Sequence, residues 1–73
     1  MKKFKILISK HFEILSITET EDTMPEGENL YYDMGSDMRV PDFVLIRSAS
    51  MEQAREEGDH FIDQWRTRLE GKG

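Results

Sequence analysis

Ser50-Met-Glu-Gln-Ala-Arg-Glu-Glu-Gly-Asp-His-Phe-Ile-Asp-Gln-Trp-Arg-Thr-Arg-Leu-Glu70 is the stretch that decides how this chain folds. Its apolar positions are Met51, Ala54, Phe61, Ile62, Trp65 and Leu69, and on a wheel advancing about 100° per residue they share about one third of the circumference. The stretch therefore predicts one helix over residues 51–70, with an apolar stripe that needs a surface to cover. Ser50 can cap the first turn with its hydroxyl, and Gln53 completes a capping box. Glu52, Glu56 and Glu57 lie toward the positive end of the helix dipole, Arg66 and Arg68 toward the negative end, and Gly71 is placed as the C′ residue. Gly58 interrupts the stripe at a cost of about 1 kcal/mol relative to alanine. Because the period continues in phase beyond it, Gly58 is expected to be a notch over a bulky strand residue, the alternative being a local kink.

The surface to be covered comes before the helix. Residues 3–9 alternate, with Phe4, Ile6 and Ile8 on one side and Lys3, Lys5 and Ser9 on the other, as a half-buried strand does. Residues 12–20 are rich in β-branched and aromatic side chains, but Phe12/Ile14 and Leu15/Ile17 fall in opposite phases. A bulge or a surface apolar pair would account for the switch. Only Lys10 and His11 stand between these strands, without an Asn-Gly or Asp-Gly turn, so an irregular hairpin is expected over one long bent strand. Residues 21–28 read as an acidic loop, 30–34 as a third strand, 33–42 as a second loop with Gly35, Ser36 and Pro41, and 43–47 as a central strand beneath the helix. The fold class that follows is α+β: a small antiparallel β-sheet of three to four strands, covered on one face by a single C-terminal α-helix and largely solvated on the other.

A chain of 73 residues is read as one domain, and one of this size buries only about 60% of its unfolded surface. With no cysteine and no long apolar segment, it reads as a soluble cytoplasmic protein without disulfide, thiolate metal site or membrane span. The formal charge of −5 argues against direct nucleic-acid binding, which requires clustered Lys and Arg, and favours a basic partner. The charge is uneven: residues 1–11 carry Lys2, Lys3, Lys5 and Lys10 without an acid, whereas residues 12–42 carry nine acids against Arg39 alone.

Along the helix, Glu52, Glu56, Asp59, Asp63 and Glu70 form an acidic stripe beside the apolar one. Glu52/Glu56 and Asp59/Asp63 are like-charge pairs at i,i+4, which cost a few tenths of a kcal/mol each, on the order of 0.3. A solvated face is the bland explanation, partly neutralised by Arg55 and Arg66. The functional one is a strip that docks on a basic patch, with Glu26, Glu28 and Asp37 of the loops and an exposed Tyr31 as further partner contacts. Met24, Met34 and Met38 read as plugs at the ends of the core more than as contacts. Glu57-x-x-His60 and Asp33-Met-Gly-Ser-Asp37 lack the companion ligands of a metal or calcium site, and no triad or phosphate-cradling loop is present.

Ser50-Met-Glu-Gln-Ala-Arg-Glu-Glu-Gly58, followed by Ile62 and Trp65, resembles the strand-to-helix passage of HicB-type antitoxins. The likeness covers about a third of the chain and rests on features of any capped helix on a sheet. The glycine-rich turn and Pro-Gly-Cys-like element of that family's strands are absent, so no functional residue is carried over. Taken together, the residues lead to the expectation of a noncatalytic protein-binding module without cofactor or catalytic residues. It would be an inhibitor, antitoxin-like or of the phage anti-defence type, whose acidic surface occupies a basic site on a larger nucleic-acid-handling protein. The alternative is a structural subunit or homodimer associating through its open sheet face, at an apolar residue such as Leu7 or Ile17, or through an edge strand.

Overall fold

The alternation read from residues 3–9 is realised in full: Phe4, Ile6 and Ile8 are buried, while Lys2 and Leu7 are exposed and Lys3 and Lys5 half-buried. The computed structural model describes residues 2–34 and 40–71. Its elements are β1 (Lys2–Ile8), β2 (Ile14–Thr20), β3 (Leu30–Asp33), β4 (Phe43–Ser48) and α1 (Met51–Gly71). The strands make one antiparallel sheet in the order β2-β1-β4-β3, so the two most apolar strands lie at its centre. The protein has an α+β fold, with α1 packed across one face of that sheet.

Register explains which side chains meet the helix. Phe4 lies opposite Ile46, Ile6 opposite Val44 and Ile17, and Leu30 opposite Ile46. Ile6, Ile8, Val40, Val44, Ile46 and Ile62 form the buried core, with Phe12, Ile14, Ile17, Leu30 and Phe61 packed around it. Ile17 therefore faces the helix and not the open side, because its partner Ile6 does.

Gly58 is the expected notch. A Cβ built there would stand 2.6 Å from Cδ1 of Ile6, well inside van der Waals contact. The missing side chain lets the α1 backbone settle directly on the central strand β1. The helix start is capped as expected: Gln53 N–H donates to Ser50 Oγ at 3.2 Å. The return arm of the box goes one residue further back, with Ala49 N–H donating to Gln53 Oε1 at 3.3 Å. The helix runs through Gly71 and does not stop before it.

Two sequence expectations change. β2 begins at Ile14, because residues 9–13 form the β1–β2 turn: Ser9 N–H donates to Glu13 O, Phe12 N–H to Ser9 O, and Ser9 Oγ accepts from the N–H groups of His11 and Glu13. Phe12 adopts φ 64° there, a strained conformation for a bulky residue, which its ring's packing against the core holds in place. The phase switch in residues 12–20 is a bulge, seen as a register shift opposite Leu7/Ile8.

The second change concerns the open face. Since β2 and β3 lie at opposite edges, the acidic 21–29 loop must cross three strand spacings, about 14 Å. It does so on the side away from the helix. Lys3 Nζ donates to the carbonyl oxygens of Asp22 (2.7 Å) and Glu21 (3.4 Å), and Lys5 Nζ lies 3.6 Å from the Asp22 carboxylate. Met24 in this loop is 5% exposed and Leu45, on the same side of the sheet, only 2%. Met24 is thus the plug expected of it, and the face is partly covered where it was expected to be solvated. Pro25 O accepts from Glu28 N–H, with Gly27 at φ 82°, a turn that brings the chain up to Asn29 and β3.

Gly58→Ala is expected to lower stability, since overpacking costs about 1–3 kcal/mol and the propensity gained is about 1 kcal/mol. Ile6→Val removes the opposing methyl, so in a double-mutant cycle read by urea denaturation it should cost less in the Gly58→Ala background than in the wild type. Lys3→Met should free the loop, raising amide exchange at residues 23–28 with little change at β1 and β4; equal exchange in both proteins would show that the lysine does not hold it.

Candidate functional site

The burial of Ala54, Gly58 and Ile62 fixes the rotation of α1, and with it the side that meets solvent. Glu52, Glu56, Asp59, Asp63 and Glu70 are all exposed on that outer side. From Glu52 to Asp63 is eleven residues, about 16 Å along the axis at roughly 1.5 Å each. Asp63 accepts from Arg66 Nη2 at 3.1 Å. Among the described residues, Glu52, Glu56 and Asp59 form no ion pair. The N-terminal lysines are used elsewhere: Lys2 lies 3.6 Å from Glu19 and Lys5 3.6 Å from Asp22.

The residues expected to contact a partner do not make one surface. Glu52, Glu56, Asp59 and Asp63 are together on the helix. Glu26 and Glu28 belong to the exposed loop that is anchored across the opposite face of the sheet. Tyr31 lies opposite Leu45 on that second face and is 40% exposed. Asp37, with Met38, lies outside the described residues. The sheet itself separates the helix acids from the loop acids.

Two features were missed in the sequence. Tyr32, Phe61 and Trp65 form an aromatic cluster with ring centroids 5.1–5.8 Å apart, joining the short edge strand β3 to the helix. The alternation that sends Tyr31 outward sends Tyr32 to the helix, and the Phe61/Trp65 spacing could have named its partners. The second is a groove of about 590 Å³ along the β2 edge, lined by Ile14, Leu15, Ile17, Met51, Glu52 and Arg55. Its signal was the apolar Leu15 left over by the bulge, which is 66% exposed, beside a Met51 that is 48% exposed. Another groove, about 480 Å³, separates β3 from the helix between Leu30 and Phe61.

Among the described residues, no three His, Asp or Glu side chains gather as a metal site, and no helix is long and apolar enough to cross a membrane. No protein-family model matches the chain, and neither the curated proteins nor the solved structures contain a match to it.

The acid row is a cost to the helix. Glu56→Lys replaces a repulsive i,i+4 pair with an attractive one to Glu52, so it should raise stability by about 0.5 kcal/mol in urea denaturation at low salt, with the gain shrinking as salt is added.

Proposed function

We propose that this protein is a noncatalytic binding module whose helix presents an acidic row to a basic surface on a larger, nucleic-acid-handling protein, acting there as an inhibitor. One observation carries this reading: Glu52, Glu56 and Asp59 stand exposed and without an ion pair among the described residues, on a helix that the core holds rigidly. Four carboxylates along about 16 Å stand about 5.5 Å apart along the axis, against one phosphate per about 3.4 Å on a single DNA strand. A groove that reads phosphates through Lys and Arg would be attracted to such a row, and the attraction would speed encounter at low salt. The loop acids lie on the other side of the sheet, so the proposed contact uses the helix and leaves Glu26, Glu28 and Tyr31 out.

The test compares the wild type with a Glu52→Gln, Glu56→Gln, Asp59→Asn variant as baits in a lysate rich in nucleic-acid-handling proteins. The expected partner elutes with salt, is displaced by added DNA, and binds the triple variant at least about tenfold more weakly, or about 1.4 kcal/mol. Partners that ignore salt and bind both baits alike would remove the acidic row from the function.

A further inference from the structure

The two edges of the sheet are not alike. β3 has four residues and its Tyr32 is tied to the helix through Phe61 and Trp65, whereas β2 has seven residues with no proline and no lysine to blunt its outer edge. Its bulge lies at the start of the strand, away from Thr18. Sheets normally protect such an edge, because its backbone groups form a template for another strand.

Which groups are offered follows from the ladder. Arg47 N–H donates toward β3, to Asn29 O, and Ile8 N–H donates toward β4, to Asp42 O. In an antiparallel ladder the N–H and C=O of one residue point the same way and alternate along the strand. Phe4, Ile6 and Ile8 therefore point to β4, and Lys3, Lys5 and Leu7 point to β2. Their partners Thr20, Thr18 and Ser16 are bonded inward, which leaves the N–H and C=O of Ile17 and Glu19 facing outward.

We propose that two copies of this chain pair antiparallel through β2, about a two-fold axis at Thr18, to make a continuous eight-stranded sheet. That register joins Ile17 of each copy to Glu19 of the other by four N–H···O bonds and sets Thr18 against Thr18 and Ser16 against Thr20, hydroxyl pairs that suit facing strands. An axis at Glu19 would oppose two carboxylates, and an axis between residues would face inward-bonded groups. Charge fits as well. Arg55 and Ile17 line the same groove, so Arg55 of one copy meets Glu19 of the other, which among the described residues pairs only with exposed Lys2 at 3.6 Å. The exposed Leu15 and Met51 rim the seam and supply the apolar area that strand pairing alone lacks. An axis perpendicular to the sheet leaves both helices on the same side, so the dimer displays two acidic rows together.

Sedimentation equilibrium of the full chain, from low micromolar to millimolar, tests the proposal. The wild type should reach the dimer mass. Glu19→Pro removes an outward backbone donor together with the exposed Glu19 carboxylate, and leaves the inward ladder to β1 intact; it should give a monomer with an unchanged circular dichroism spectrum. Arg55→Glu should weaken dimerisation at least about tenfold, and the swap Arg55→Glu/Glu19→Arg should restore it, a readout that stands even if the proline variant does not fold. A wild type that stays monomeric throughout, or a dimer indifferent to Glu19→Pro and to the charge swap, overturns the proposal.

Discussion

The contact between Gly58 and Ile6 sets the geometry of the whole molecule. With no Cβ on the helix and a fully buried isoleucine beneath it, α1 lies close against β1, the strand at the middle of the core. That approach fixes the rotation of the helix. Ala54 and Ile62 turn inward beside the glycine, Phe61 and Trp65 reach Tyr32, and the carboxylates of the next stripe are left facing water. A side chain at this position must push aside the Ile6 δ-methyl or lift the helix, and interiors at crystal-like density have little slack for either.

Sheet order has the second controlling effect. Placing β2 and β3 at opposite edges obliges the acidic loop to cross the sheet, and Lys3 and Lys5 give it a track on the face away from the helix. Lys2, Lys3 and Lys5 are thus committed to the loop and to β2. Negative charge is divided between two sides of the body: the loop carries Asp22 beside Lys5 together with exposed Glu26 and Glu28, and the helix carries a continuous row. This division is why the helix row, and not the acidic middle of the chain, carries the functional reading.

The open face is narrowed as an association surface by the same loop. Met24 and the loop cover Leu45, leaving Leu7, Tyr31 and the rim of Phe43, over which Lys5 Nζ sits 4.6 Å from the ring centroid. The β2 edge is different, since the outward N–H and C=O groups of Ile17 and Glu19 lie beside the exposed Leu15 and Met51. An edge of this kind is satisfied by another strand, and the helix row by a basic surface. The two uses meet at one end, where Glu52 lines the β2 groove, whereas Glu56, Asp59 and Asp63 lie outside it.

Much of this was legible in the residues themselves. Periods of 3.6 and 2 are local properties, so the helix, its cap, the alternation of β1 and the role of Gly58 could be read from spacing alone, and so could the fold class. The turn at residues 9–13 was not, because Ser9 replaces the usual glycine with side-chain hydrogen bonds and Phe12 takes a left-handed conformation that only its packing supports. Ile17 could not be assigned to a face until the bulge set its register with Ile6. Sequence determined which residues are acidic and which are apolar; strand order alone decided that the loop acids and the helix acids part company. Spacing along a chain records local geometry, whereas the side of a sheet on which a loop returns depends on contacts between residues far apart in the chain.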